Sequence, residues 1–485
     1  MSESAVSENT SANRLDGLTA DGSGSLARKG GETVHFVSLG CPKNLVDSEL
    51  MLGDLLKNRY TSVDAPEEAD VIIVNTCSFI HAATQESIDT VLEMAEHKKA
   101  GRCSTLIMTG CLAQRHAGDL ENDLAEVDYF IGTGEYQNLT KILAERPGQR
   151  KFVGIPHFIH DEHAPRVNSK AFYTAYLKIA EGCRHRCSFC IIPTLRGDLR
   201  SRSIESIVNE AKGLRDAGVK ELNIISQDSN SYGYDRVGAK GRHELGKLLQ
   251  ALGGIDGVEW IRLMYMFPLG FPEDLMDIIA AEPKVVKYID MPLQHITSGM
   301  LRRMNRGVGG ERQYNLVRKL REKIPDLTLR TTFIVGFPGE TDEDFDALVK
   351  FVEDMHFERM GVFTYSPEEG TPAATLDGQV SEKVKKARQR QLMAVQKKIS
   401  KASYKALVGT VQPVLIEGVS QESDLLLQGR LASQAPDIDG HVLINAGYAK
   451  VGEIVPVKMT RALDYDIIGE IVGHEDQEWV KELSV

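Results

Sequence analysis

Twice along the chain, short apolar runs alternate with longer stretches whose apolar residues recur at helical spacing, and this alternation leaves few folds open. In the first series the runs fall at 34–39, 71–75, 105–109 and 129–131, with helical stretches at 45–58 and 83–99. Continuous apolar runs separated by helices predict a parallel sheet covered on both faces. The second series places candidate strands at 175–180, 221–226, 260–265, 286–291, 327–335 and 361–365, with helices such as 204–217 and 342–355. Six such units predict an open (β/α)6 barrel, three quarters of the closed eight-unit form. From about residue 404 the texture changes to five short β-rich runs, at 411–419, 425–432, 441–444, 454–460 and 465–472. With turn residues between them they predict a small all-β barrel of the OB type. The fold class is therefore α/β: an N-terminal open parallel sheet, a central open barrel and a C-terminal β-barrel.

These textures divide the 485 residues. Residues 1–32 are rich in Ser, Gly, Ala and charge and lack an apolar h-region, so a disordered extension is expected, not a secretory leader. Residues 33–150 form the first domain. Residues 151–170 are aperiodic, contain His157, His160 and His163 and read as a linker. The barrel core spans 171–380, a polar and solvated connector helix 381–403, the small barrel 404–473 and a tail 474–485. No run of about 18 apolar residues is present, so neither a membrane-spanning helix nor a membrane partner is expected, and the expected location is cytoplasmic. The net charge of −12 removes the basic footprint that nucleic-acid binding usually leaves. Seven cysteines in a chain of this size are too sparse for a disulfide scaffold and point to metal or redox chemistry.

Three of them lie close together, as Cys183-x-x-x-Cys187-x-x-Cys190, directly after the first barrel strand. Three thiolates on one loop can wrap three irons of a 4Fe–4S cube and leave the fourth without a protein ligand. S-adenosylmethionine can chelate that open iron through its amino and carboxylate groups, and one electron then releases a 5′-deoxyadenosyl radical. Barrel active sites lie beyond the carboxyl ends of the strands, where this loop is. The alternative is a zinc knuckle, although zinc usually takes four tight ligands. Arg184, His185 and Arg186 read as loop charges.

Cys41, Cys77 and Cys111 are far apart in sequence but share a structural position, each just past the carboxyl end of a predicted strand. Such positions in an open parallel sheet face one crevice, so the three thiols are expected to converge. They too would leave one iron of a cube open; a zinc site and unligated buried thiols are the alternatives. Cys103 precedes its strand and is expected at the opposite edge.

Strand ends of the barrel are also expected to hold the rest of S-adenosylmethionine. Gln227 and Asp228 end the second strand, Gln294 and His295 the fourth, and the fifth runs into a segment containing Gly336 and Gly339, glycines that permit close backbone approach. This segment resembles the adenine-side motif of radical enzymes, departing from it at Thr332.

Together these features resemble the methylthiotransferase family of radical S-adenosylmethionine enzymes, over nearly the whole chain from Val34 to Val472. Residues 38–49, Ser-Leu-Gly-Cys-Pro-Lys-Asn-Leu-Val-Asp-Ser-Glu, and residues 435–440, Ala-Pro-Asp-Ile-Asp-Gly, are similar to the branch that modifies an aspartate of the twelfth small-subunit ribosomal protein. The tRNA branch has a Gly-Cys-Gln-x-Asn version of the first. The resemblance implies two 4Fe–4S clusters, ligated by Cys41, Cys77 and Cys111 and by Cys183, Cys187 and Cys190, in a methylthiotransferase domain and a radical core followed by a TRAM barrel. It implies two uses of S-adenosylmethionine, one to methylate a sulfur and one to remove hydrogen from the aspartate β-carbon. A reductant such as flavodoxin or ferredoxin is the expected electron donor. Residues 405–485 carry 6 basic and 13 acidic side chains, a balance that favours a basic ribosomal protein over RNA. The alternatives are a tRNA adenosine methylthiotransferase and a non-catalytic iron–sulfur protein.

Overall fold

The computed structural model describes residues 13–14, 31–236 and 243–473. Most of the expected extension and the whole expected tail, 474–485, lie outside these residues. Inside the expected extension, however, Asn13–Arg14 pairs antiparallel with the strand Thr33–Ser38.

Five strands of the N-terminal sheet run parallel in chain order: Thr33–Ser38, Val71–Thr76, Thr105–Gly110, Tyr129–Ile131 and Lys151–Phe152. Every residue of Val71–Thr76 and Thr105–Gly110 is buried, which is why these runs are continuously apolar instead of alternating. Val71, Ile73 and Ile107 pack with the helices Pro42–Lys57 and Leu139–Glu145 on one face. Ile72, Val74, Leu106 and Met108 pack with His81–Ala100 and Cys111–Asp123 on the other. The helix Pro42–Lys57 begins three residues before the sequence suggested, with Cys41 at its N-cap and Pro42 opening its first turn.

The expected linker is not free chain. Lys151–Phe152 is the edge strand of the N-terminal sheet. Farther along, Arg166 is buried between the domains, bonded to Glu49 at 2.6 Å and Glu210 at 2.5 Å.

The central sheet has six parallel strands in chain order: Thr174–Lys178, Glu221–Ile225, Trp260–Leu263, Val285–Asp290, Thr328–Val335 and Arg359–Thr364. The first and last do not pair, and the N-terminal domain spans the gap at the mouth. Lys178 of the first strand holds Asp47 at 2.5 Å. Beyond the last strand, Glu368 accepts from the His81 backbone N–H at 3.0 Å and from Arg115 at 3.4 Å. The helix Glu382–Leu407 is not the solvated connector its composition suggests. It buries Lys385, Arg388, Leu392, Gln396, Ile399 and Tyr404, and Gln389 and Gln396 donate to the carbonyls of Val362 and Phe357 at 2.8 and 3.0 Å. It is the sixth barrel helix, and Lys and Arg stems supply part of its apolar face.

Five strands close the C-terminal barrel in the order Val411–Ser420, Ser423–Leu431, Val442–Ala446, Ile467–Ile471, Ile454–Ala462. It docks at the amino ends of the central strands. Arg430, fully buried, meets Glu221 at 2.6 Å, and Asp437 and Asp439 accept from the hydroxyls of Tyr176 and Tyr288 at 2.9 and 2.7 Å. Residues 435–440 thus stop the barrel floor. One apolar cluster, including Phe36, Tyr176, Trp260, Tyr288, Leu415 and Ala435, runs through all three units.

Candidate functional site

The loop bearing Cys183, Cys187 and Cys190 is pinned at both ends. Ala180–Glu181 pairs antiparallel with Arg200–Ser201, and the Cys183 N–H donates to the Gly197 carbonyl at 3.1 Å. Gly182 turns the chain with φ +80°, and a Cβ there would fall 2.1 Å from the Asp198 oxygen, so only glycine fits. Burial, with a smaller contribution from charge on Cys187, pushes the Cys183 thiol up to about 11 and the Cys190 thiol up to about 12. The three thiols lie within one pinned loop of eight residues and so converge. Arg306 donates to the Cys187 sulfur at 3.4 Å, and its guanidinium lies 3.9 Å from the Phe267 ring centre. His185 stacks on Phe267 at 3.6 Å and meets Asp228 at 2.8 Å. It is built into the wall of the site, a role its charge-rich loop had concealed.

Cys41, Cys77 and Cys111 also converge, from three separate strand ends. A Cβ on Gly40 would come within 3.0 Å of the Cys77 sulfur, so the Cys77 side chain lies directly against the Gly40 backbone. Burial, with charge on Cys111 and Cys41 adding to it, pushes Cys77 up to about 12. Asn44 ties the three ends together. Its Nδ2 donates to the carbonyls of Leu39 and Thr76 at 3.0 and 2.9 Å, and its Oδ1 lies 3.7 Å from the Cys111 sulfur. Cys103 sits at the other end of its strand, in an apolar cluster, with its thiol on the Thr105 carbonyl at 3.3 Å. Among the described residues no three His, Cys, Asp or Glu side chains stand close enough to share one metal ion.

The two triads share a wall. Ile191 and Leu195, just past Cys190, pack against Cys111. Arg196, next in the short helix Ile192–Arg196, crosses into the N-terminal domain, where it donates to Asp47 at 2.5 Å and to Asn44. Its charge acts on the Cys111 and Cys41 thiols. Lys178 completes this buried cluster, holding Glu181 at 2.8 Å. Asn44, Lys178 and Arg196 carry no spacing that marks them in the sequence; the lysine inside an apolar strand run is the one available signal. A second bridge is the segment 265–267. Tyr265 has φ +60°, an uncommon conformation outside glycine. Its ring carries Lys43 at 3.2 Å, while Phe267, two residues on, carries His185 and Arg306.

At the barrel mouth, the expected nucleotide contacts divide. Gln227 donates to Glu181, and its Oε1 is buried without a partner. Gln294, at φ +70°, spends its backbone on Thr332 and Ile334, and its Oε1 is likewise buried and unpaired. His295 Nε2 is a third orphan, and burial lowers that imidazole to about 4. Gly336 and Gly339 differ from expectation. The Gly336 N–H donates to Glu340 and its open side is filled by Lys385; the Gly339 N–H donates to the Gly378 carbonyl at 2.7 Å and Arg303 lies against its α-carbon. The close approach these glycines permit is made by side chains of the protein, not left open to a ligand.

Family models match in three places: residues 33–132 fit the uncharacterized protein family UPF0004, residues 177–352 the radical SAM superfamily and residues 408–472 the TRAM domain. A protein from Geobacter sulfurreducens named ribosomal protein uS12 methylthiotransferase RimO is 52% identical over 91% of this chain and 99% of its own. Relatives of the same name from Pelobacter propionicus and Myxococcus xanthus are 53% and 50% identical, covering 91% and 92% of this chain and 98% and 93% of theirs. Among solved structures, the radical S-adenosylmethionine methyltransferase TsrM from Kitasatospora setae aligns over 79% of this chain and 77% of its own, with a TM-score of 0.52 and 13% identity, a likeness of fold. With a radical SAM core between an N-terminal sheet domain and a TRAM barrel, and half its residues identical to these relatives along almost the whole length, the chain belongs to the RimO family of radical S-adenosylmethionine methylthiotransferases.

Proposed function

We propose that this protein methylthiolates the β-carbon of an aspartate in ribosomal protein uS12, using two 4Fe–4S clusters and S-adenosylmethionine. The observation that carries the reading is the common wall, with Cys111 of one thiol triad packed on Ile191 and Leu195, next to Cys190 of the other. A group bound at one triad then lies near a group bound at the other, as transfer to a substrate carbon between them requires. Cys183, Cys187 and Cys190 would hold the radical cluster and Cys41, Cys77 and Cys111 the second. When bound, the clusters and S-adenosylmethionine supply a hydrogen-abstracting radical and a methyl-bearing sulfur.

The residues of the chain bind and orient. Arg306 donates to the Cys187 sulfur, and Arg196 sets positive charge beside Cys111, which offsets part of the rise that burial imposes on that thiol. Gln227 and Gln294 each keep a buried carbonyl without a partner, and these would accept hydrogen bonds from the amino groups of S-adenosylmethionine. Residues 435–440 stop the floor of the barrel and so limit the entry of water. The acidic C-terminal barrel draws the basic ribosomal protein, in the cytoplasm, and a flavodoxin or ferredoxin supplies the electrons.

The test is anaerobic reconstitution followed by incubation with uS12, S-adenosylmethionine and reductant. A methylthio mass gain on uS12 and two cubes per chain are expected. A single cube, or a mass gain on tRNA instead, overturns the reading.

A further inference from the structure

Buried cations in this protein are held by a carboxylate or, as Arg306 and Arg359 are, by a backbone carbonyl. Lys178, Arg196, Arg262 and Arg430 each hold a carboxylate within 2.9 Å. Lys43 is different. It is 7% exposed, its ammonium lies 3.2 Å over the Tyr265 ring, and among the described residues no carboxylate reaches it. It also stands in the first turn of the helix Pro42–Lys57, whose positive dipole end disfavours a cation. An aromatic face offsets part of an ammonium's desolvation but does not replace an anion. An ammonium on a buried side chain, without a carboxylate, at the N-terminus of a long helix is a site prepared for a negative ligand.

Its position says which ligand. Lys43 is two residues from Cys41, and a charge on Cys41 acts on the Tyr265 hydroxyl that shares this corner. Two residues past Tyr265, Phe267 carries Arg306, which donates to Cys187. The ammonium therefore lies in the segment that joins the two triads, at the carboxyl end of the third barrel strand, where the reacting carbon must be placed. An aspartate carboxylate is one bond from its β-carbon, so a cation that fixes the one fixes the other.

We propose that Lys43 is a specificity-determining residue that pairs with the side-chain carboxylate of the target aspartate and holds its β-carbon between the two triads. This rests on the proposed uS12 activity and adds a recognition element to it. Lys43 makes the site select an acidic side chain, because an uncharged substrate group leaves the ammonium without an anion.

The test uses holoenzyme loaded anaerobically, with uS12 carrying either aspartate or asparagine at the modified position. The wild-type enzyme is expected to bind the aspartate form about tenfold to a hundredfold more tightly, the usual range for a buried charged hydrogen bond. Lys43→Met, checked for full iron content, should lose that preference, and Lys43→Arg should keep most of it. Absence of any preference in the wild type overturns the proposal without recourse to a variant. So does a Lys43→Met enzyme that keeps the preference while the potential of its N-terminal cluster shifts, which would make Lys43 a counter-ion of the cluster. If the wild type adds no methylthio group to uS12 at all, the functional reading itself fails, and that result is distinct from modification without discrimination.

Discussion

Cys183, Cys187 and Cys190 lie within one loop, whereas Cys41, Cys77 and Cys111 are delivered by three strand ends and meet only because the sheet forms. The first triad is held by local turns, with Gly182 at positive φ and the Cys190 N–H on the Cys187 carbonyl at 3.1 Å. The second is held by a side chain, Asn44, reaching two strand ends and an arginine from another domain. A contiguous triad depends on its own loop; a dispersed one depends on tertiary structure and, here, on the domain that carries the first.

The strongest test of this contrast is to remove a thiol from each. Cys187→Ala should abolish production of 5′-deoxyadenosine under reduction while the N-terminal triad still binds iron. Cys77→Ala should abolish methylthiolation while cleavage of S-adenosylmethionine persists. Iron per chain and nucleoside yield check both, and loss of both sites in either variant breaks the contrast.

Next in size is Asn44→Ala. It strands two buried carbonyls and the Arg196 guanidinium, for an expected loss of about 3 kcal/mol. The denaturation midpoint should fall and the N-terminal triad should lose its iron first. An equal loss of iron from the loop triad would show that the two are one cooperative unit.

Smaller effects are expected from the two arginines. Arg306→Gln should lower the reduction potential of the cluster on the loop triad, and Arg196→Gln that of the N-terminal one. Each shift should be on the order of 40–90 mV, one Coulombic contact of about 1–2 kcal/mol read as a one-electron potential. The sign follows because removing a cation disfavours the added electron. Redox titration followed by EPR checks it, and a shift at the other cluster would reveal cross-talk through the shared wall.

The smallest difference concerns pH. Cys77 and Cys190 are both pushed up to about 12 by burial, so a thiol in each triad is protonated before metal arrives. Ligation requires thiolate, so loading releases protons and should weaken as pH falls from 9 to 7. Equal slopes for the two triads are expected, measured by iron uptake into each single-triad variant.

Much of the architecture was legible because burial on both faces writes itself into composition. Val71–Thr76 and Thr105–Gly110 read as strands from their unbroken apolar character, and the positions of Cys77 and Cys111 past their ends implied the crevice. The helix Glu382–Leu407 misled because lysine and arginine stems cover a neighbouring strand as well as aliphatic side chains do, and composition counts only their charges. Gly336 and Gly339 misled in the opposite sense, since a glycine records that something approaches closely but not whether it is a ligand or, as here, Lys385 and Arg303.

The sequence by itself determined the three units, both sets of thiols and the end of each sheet at which they lie, because periodicity and short spacings are local properties of the chain. Tertiary structure alone decided what fills the ground between the triads: Arg196 beside Cys111, Lys43 over Tyr265, and residues 435–440 in the barrel floor. The physical reason is that each of these contacts joins residues distant in the chain, and which partners meet is fixed by the packing of whole domains, on which no local pattern of residues reports.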